Sequence, residues 1–156
     1  MAYWLLKTEP GSFSIDHLAA LPRRTSGWDG VRNYQARNLL RDGVQRGDLA
    51  FLYHSSCAVP GIAGTVRVVR SAYADATSFD PRHAHHDPGS DPAASRWFAI
   101  DVQLQRRLPR LITLAELRAH ADGKLRDLMV LRRGNRLSVM PVIGAHWRFI
   151  ASLERV

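Results

Sequence analysis

The residues best suited to chemistry lie in segment 28–37, which reads Trp-Asp-Gly-Val-Arg-Asn-Tyr-Gln-Ala-Arg. It combines an aromatic ring at Trp28, an amide at Asn33 and guanidinium groups at Arg32 and Arg37. An aromatic face can stack on a nucleobase, which contributes about 1–3 kcal/mol per base. Guanidinium groups bind phosphates through two parallel hydrogen bonds. This combination is typical of a nucleic-acid-binding site.

The same segment also has a purely structural interpretation. Asn33 is a residue type that caps helices, and the pattern predicts a helix over 34–42 that ends before Gly43. Trp28 would then be a ring of the hydrophobic core, and the arginines would be solvated surface residues. The residues alone leave both interpretations open.

The charge of the whole chain favours a polyanionic partner. The 156 residues include 22 Lys+Arg against 14 Asp+Glu, a formal net charge of +8. Codon bias can explain why nearly all of these cations are arginines, but it does not explain the excess. The excess lies in two stretches, 22–70 and 106–156, and we expect a basic face if the fold brings them together.

Composition and motifs exclude several classes of protein. An apolar fraction of 46% predicts a globular chain with a hydrophobic core. No apolar run is long enough to cross a bilayer, so we expect no membrane partner. The sequence has no P-loop, dinucleotide-binding glycine pattern, nucleophile elbow or zinc-protease motif. The single cysteine and the lack of a recognisable secretory signal fit a reducing cytosolic or nuclear setting, and we expect a cytoplasmic protein.

Two further groups of residues have the atoms for catalysis or metal binding. Segment 83–87 contains three histidines and an aspartate, but these crowd one loop and no second cluster completes a site. His54 and Ser55 resemble a base and a nucleophile, but neighbours on a strand point to opposite faces. We therefore expect neither a metal site nor a catalytic pair.

Apolar periodicity and turn residues predict an α+β domain. Strands are predicted at 3–8, 49–54, 62–71, 97–104 and 137–140, the last ended by Pro141. Helices are predicted at 15–21, 34–42, 113–120 and 144–153, with a further short helical turn at 125–131 and a long loop over 74–95. Ser14 and Thr113 are the expected caps of the first and third helices. Such a mixed or antiparallel sheet is expected to curl into a small barrel.

The chain also resembles the EVE domain family along nearly its whole length. The resemblance rests on blocks that occur in order from end to end: Tyr3–Pro10, Trp28–Arg37, Phe51–Ser55, Pro60–Gly64, Phe79–Pro81, Asp87–Pro88, Arg96–Trp97 and Arg136–Val142. It implies one EVE domain over 1–156 with a PUA-like fold, a mixed β-barrel with peripheral short helices. One departure lies before Pro88, where relatives often carry aromatic residues in place of the histidines.

The resemblance implies a function in binding rather than in catalysis. Related YTH domains read methylated adenine in RNA, eukaryotic EVE proteins are associated with modified cytosine in DNA, and bacterial ones are proposed to read modified DNA or RNA. The expected partner is therefore a nucleic acid with a modified base, bound by a monomer without a cofactor. An alternative is a nuclease or base hydrolase with His54 as general base. A module that binds a protein or a nucleotide through the same pocket is a third possibility.

The matching family positions identify the candidate site residues. The base pocket would comprise Trp28, Asn33, Tyr34, His54, Ser55, Trp97 and Ser138. Trp28 would form one wall of a slot whose other wall is Tyr34 or Trp97, while Asn33 and Ser55 would read the base edge. The phosphate-binding residues would be Lys7, Arg32, Arg37 and Arg136.

Overall fold

A six-stranded mixed sheet forms the centre of the computed structural model, which describes residues 1–154. The strand order is β2-β5-β4-β3-β1-β6, in which β1 and β3 are parallel and all other neighbours are antiparallel. The strands are β1 (Tyr3–Thr8), β2 (Thr25–Trp28), β3 (Leu49–His54), β4 (Gly61–Ala74), β5 (Phe98–Thr113) and β6 (Val139–Val142). The predicted α+β class and mixed sheet are confirmed.

Short helices surround the sheet. They are α1 (Ile15–Ala20), α2 (Tyr34–Asn38), α3 (Leu114–Arg118) and α4 (Gly144–Leu153). A π-helical turn, Leu39–Gly43, extends α2, and 3₁₀ turns lie at Pro22–Arg24, Ala76–Phe79 and Met129–Leu131. None of these helices within residues 1–154 has the length and apolar character needed to cross a membrane.

The helix caps follow the sequence pattern with one difference. The Ser14 side chain accepts a hydrogen bond from the His17 N–H, and the His17 ring accepts one from the Ser14 N–H, which confirms the cap of α1. Thr113 likewise accepts from the Glu116 N–H. The sequence pattern Thr113-x-x-Glu116 also predicts a capping box, but the Glu116 carboxylate binds the Arg110 guanidinium instead of returning to Thr113, so the box is only half formed.

Two predicted strand boundaries are wrong for identifiable reasons. β5 continues to Thr113 rather than stopping near residue 104, because its pairing with β4 shifts register several times and breaks the apolar alternation. Pro141 lies inside β6 instead of ending it. β6 is an edge strand with a neighbour on one side only. Proline is tolerated in such strands because its missing N–H can fall on the side that has no partner strand.

The sheet is strongly curled. In a flat sheet β1 and β2 would lie about 19 Å apart, since four strand spacings separate them. Here residues of both strands line a single cavity. The curl forms a partly open barrel, in agreement with the predicted one, with its opening between the β2 edge and the β1–β6 edge. Fully buried side chains such as Leu52, Val66 and Val102 fill the core.

Candidate nucleic-acid interface

A cavity of about 510 Å³ lies at the opening between the two edges of the curled sheet, and we call it the base cavity. β1 contributes Lys7 and Thr8, β2 and the loop after it contribute residues 26–32, and Ser138 comes from the segment before β6. Phe13 enters from the turn before α1. This volume falls in the range of pockets that enclose small organic ligands.

A buried carboxylate fixes the loop that follows β2. Asp75, only 1% exposed, accepts hydrogen bonds from the Gly30 N–H at 2.9 Å and from the Arg32 guanidinium at 2.9 Å. The Thr77 N–H and hydroxyl also donate to it. Burial by itself would raise the pKa of Asp75, but the donors outweigh burial and lower it. An ionised Asp75 therefore holds the loop in place.

Gly30 is required at this point of the loop. Its φ of +74° is in the region that glycine tolerates, and a Cβ there would lie 2.7 Å from the His85 ring. The Arg32 guanidinium also donates to the His85 carbonyl, at 2.6 Å from Nη2. The 80–96 loop is thus fastened to the edge of the base cavity, where His85 forms part of the lining.

Two aromatic rings make a corner in the wall of the base cavity. The ring centroids of Phe13 and Trp28 lie 6.4 Å apart with an interplanar angle of 89°. Trp28 is 7% exposed and is anchored in β2 opposite Ile100, while Phe13 is half-buried. A flat heterocycle in this corner can stack on one ring and meet the other at a right angle.

Two groups of opposite charge line the same cavity at an electrostatic cost. Burial lowers the pKa of Lys7, whose Nζ lies 5.8 Å from the centroid of the Tyr53 ring. Partial desolvation, assisted by the charge of Asp75, raises the pKa of Asp29, although Asp29 remains solvent-accessible. Neither side chain belongs to an ion pair among the described residues. Ionisable groups that have shifted pKa values and no ion-pair partner are typical of ligand-binding sites.

Four of the predicted site residues meet at the base cavity: Lys7, Trp28, Arg32 and Ser138. The two predicted partners of Trp28 lie elsewhere. Tyr34 and Trp97 stack on each other, with ring centroids 4.8 Å apart at 27°. Trp97 is 6% exposed and donates its indole N–H to Asp87 at 2.6 Å. The ring that accompanies Trp28 is therefore Phe13 rather than Tyr34 or Trp97.

His54 and Ser55 lie outside the cavity lining and form hydrogen bonds within the protein. The His54 Nε2 accepts a hydrogen bond from the Ile15 N–H at 3.1 Å, which satisfies a free donor at the start of α1. Burial lowers the pKa of His54, in keeping with a neutral acceptor. The Ser55 hydroxyl donates to the Thr8 carbonyl at 3.4 Å.

Asn33 and Arg37 also form hydrogen bonds within the protein. The Asn33 side-chain oxygen accepts from the Ala36 N–H at 2.9 Å, which confirms the predicted cap of α2. The Arg37 guanidinium donates to the Arg96 carbonyl at 2.7 Å. Asn33 and Arg136 line a neighbouring cavity rather than the base cavity.

The histidine-rich loop contributes His85 to the wall of the base cavity, and other polar groups of the loop form hydrogen bonds within the protein. The His85 N–H donates to the His83 Nδ1 at 3.0 Å, and Asp87 accepts from Trp97. Over residues 1–154, no cluster of three or more His, Cys, Asp or Glu side chains has the arrangement of a metal site.

Several residues that line the base cavity were not predicted from the sequence, including Phe13, Asp29 and His85. Phe13 directly precedes the cap Ser14, a position where an apolar residue is common for helix packing, so its type gives no functional signal. Asp29 lies within the 28–37 segment, but a carboxylate is not expected beside phosphates. An acceptor for a base amino group is the feature that could have identified it.

Comparison with known proteins places this geometry in a family. Residues 2–153 match the family model of the EVE domain. A protein from Pseudomonas putida of known crystal structure is 46% identical, with a TM-score of 0.92 over 98% of this chain and 99% of that chain. Thymocyte nuclear protein 1 from Danio rerio is 43% identical over 97% of this chain and 71% of its own length.

A human structure shows the same fold with a ligand. Human THYN1, crystallised in complex with DNA that contains 5-methylcytosine, is 42% identical. Its TM-score is 0.94, over 100% of this chain and 99% of that chain. These likenesses confirm the expected PUA-like fold. The chain belongs to the EVE domain family.

Proposed function

We propose that this protein is a DNA-binding module that holds one modified cytosine, with 5-methylcytosine as the first candidate, in the base cavity. The observation that carries the proposal is the base cavity itself, with its aromatic corner and the unpaired charges of Lys7, Glu9 and Asp29. The similarity to a human protein crystallised with 5-methylcytosine DNA supports cytosine and DNA in particular.

The aromatic corner supplies the stacking energy. Taking a base out of a duplex costs a few kcal/mol, and stacking on a ring contributes about 1–3 kcal/mol in return. Phe13 and Trp28 present this surface at the opening of the barrel. Hydrogen bonds in the cavity must supply the remainder.

The charged groups match the edge of cytosine. Its exocyclic amino group is a donor, which suits the carboxylates of Asp29 and Glu9, and its ring nitrogen and carbonyl are acceptors, which suit Lys7. Thymine presents a carbonyl in place of the amino group and would leave a carboxylate without a donor. The pattern therefore favours cytosine over thymine.

The methyl group adds a smaller preference. Burial of one carbon is worth about 0.8 kcal/mol, so we expect roughly fourfold tighter binding of 5-methylcytosine than of cytosine. The candidate phosphate-binding residues Arg37 and Arg136 would add affinity that falls with salt and is independent of sequence. The guanidinium of the third candidate, Arg32, already donates to Val31, Asp75, Thr77 and His85, so we assign it to holding the loop.

We propose binding without catalysis. The ring nitrogen Nε2 of His54 already accepts a hydrogen bond from the backbone of Ile15, so it is not available as the general base of a hydrolase. Modified adenine and RNA are the alternative ligands. We also expect the protein to be a monomer and to lie in the cytoplasm.

A titration with matched variants tests the proposal. Duplexes with one 5-methylcytosine, cytosine or N6-methyladenine, and the corresponding RNA, are titrated with the protein and with Phe13→Leu and Phe149→Leu. Both phenylalanines are half-buried, but Phe149 packs on His120, away from the cavity. We expect a preference for 5-methylcytosine and about tenfold weaker binding by Phe13→Leu alone. Equal affinity for all ligands, or an equal loss in both variants, would overturn the proposal.

A further inference from the structure

A second cavity, of about 350 Å³, lies directly beside the base cavity, and we call it the arginine cavity. Its cationic lining consists of Arg132, Arg133 and Arg136, and Asn33 and Gln35 contribute amides from the other side. Parts of the two basic stretches of the sequence therefore meet at neighbouring cavities, since Arg32 lines the base cavity.

The two cavities share a thin wall. Arg32 lines the base cavity and Asn33 the arginine cavity, while Ser138 lines the base cavity and Leu137 the arginine cavity. Each pair consists of consecutive residues, whose Cα atoms are 3.8 Å apart in a trans chain. The wall between the two cavities is therefore a single backbone thick, and a strand with one base in the base cavity passes next to the arginine cavity.

The arginines of the second cavity have no acidic partner. Arg132, Arg133 and Arg136 are all exposed, and none of them belongs to an ion pair among residues 1–154. By contrast, Arg110 is paired with a glutamate. A local cluster of three unpaired cations repels itself unless an anion binds.

The loop that carries these arginines is held in shape by its own side chains. The Asn135 amide nitrogen donates to the Met129 carbonyl at 2.8 Å, and its oxygen accepts from the Leu137 N–H at 2.9 Å. Gly134 turns the chain with a φ of +75°. The backbone of the loop is thus fixed while the guanidinium groups stay free for a ligand.

We propose that the arginine cavity binds the phosphodiester that flanks the bound base on the same strand, a role that rests on the proposed function. Arg132 and Arg133 are then phosphate-binding residues in addition to the predicted Arg136. Guanidinium groups bind phosphate oxygens through paired hydrogen bonds, which fix the strand but do not read its sequence. The arginine cavity thereby sets which nucleotide faces the base cavity.

A chemical cycle between protein and DNA tests this assignment. Duplexes with one 5-methylcytosine carry a single uncharged methylphosphonate, either next to the modified base or near the end of the duplex. With the natural protein, we expect the adjacent substitution to weaken binding about 3- to 10-fold and the remote one to have no effect. Arg132→Gln and Arg133→Gln should each weaken binding to natural DNA and remove most of the adjacent penalty.

The control variant is Arg67→Gln. Arg67 is exposed on β4, one of the two central strands and so opposite the opening of the barrel, and it loses the same charge. It should keep the full methylphosphonate penalty. A penalty that stays unchanged in both Arg132→Gln and Arg133→Gln would overturn the assignment. Failure of the proposed function would give a different result: the natural protein would show no preference for 5-methylcytosine over cytosine.

Discussion

Two aromatic pairs near the same segment of the chain have different surroundings. Phe13 and Trp28 meet at a right angle, 6.4 Å apart, and border a cavity with unpaired charges. Tyr34 and Trp97 stack at 4.8 Å, and the guanidinium of Arg32 lies 5.4 Å from the Trp97 ring. The rings of the second pair contact each other and the guanidinium groups of Arg32 and Arg37, whereas the first pair lines the base cavity.

The difference shows that an aromatic residue in a basic segment does not by itself mark a binding site. Trp28 and Tyr34 are six positions apart in the chain, yet only Trp28 lines the base cavity. What separates them is where each ring lies: Trp28 lines the base cavity, whereas Tyr34 stacks on Trp97 outside it.

Removal of the two tryptophans should give the largest contrast. Both are nearly buried, so Trp28→Ala and Trp97→Ala should each lower the free energy of unfolding by about 3–5 kcal/mol in denaturant titrations. Affinity for 5-methylcytosine DNA, measured at a temperature where the variants are folded, should fall only for Trp28→Ala. An equal loss of affinity in both would break the distinction between the two pairs.

Loss of Arg32 should have the next largest effect, because this residue connects the two regions. Arg32→Gln leaves the buried carboxylate of Asp75 without its cation and should lower the free energy of unfolding by about 3 kcal/mol.

The pH dependence of the same variant follows from the lowered pKa of Asp75. Ionised Asp75 contributes stability that is present above its unfolded-state pKa, about 3.9, and is lost as the pH falls through the folded-state pKa. Without Arg32 that folded-state pKa rises, so acid unfolding should begin at a higher pH. An unchanged acid transition would show that Thr77 and Gly30 alone hold the carboxylate ionised.

Tyr34→Ala should have a modest effect. The ring is 54% exposed, so the variant should lose the stacking on Trp97, about 0.5–1.5 kcal/mol of stability, and the contact of the ring with the Arg37 guanidinium. DNA affinity should stay within about twofold of that of the natural protein, because surface substitutions usually change free energies by no more than about 0.5 kcal/mol. A clear loss of affinity at full stability would instead place a base on the Tyr34 face.

Asp29→Asn should have the smallest effect on stability, and of opposite sign. Because the pKa of Asp29 is raised in the folded state, its ionisation opposes folding, and stability is lost as the pH rises through that pKa. The variant should therefore melt slightly higher than the natural protein at neutral pH, with the gain absent in acid. If the melting temperature falls instead, the carboxylate serves the fold rather than the ligand.

The sequence predicted most of the elements but not their full extent. Local signals placed β1, β3, the start of β4 and the helix caps at Ser14 and Asn33. β2 is a short edge strand with a glycine and no apolar alternation, so nothing in its sequence separates it from a loop, and no strand was predicted there.

The site was predicted in part, because local pattern identifies a segment but not the direction of each side chain. Segment 28–37 does contribute to the base cavity. Which of its residues face the cavity depends on the curl of the sheet and on the bonds to Asp75, which lies more than forty positions further along the chain. Phe13 joins the site through the same curl, so it carries no local signal.

The most direct test is a crystal structure of this protein with a short duplex that contains one 5-methylcytosine. Our account predicts the modified base in the corner between Phe13 and Trp28, with its amino group on the carboxylate of Asp29 or Glu9. A base stacked on Tyr34, or a duplex bound with the base cavity empty, would contradict it.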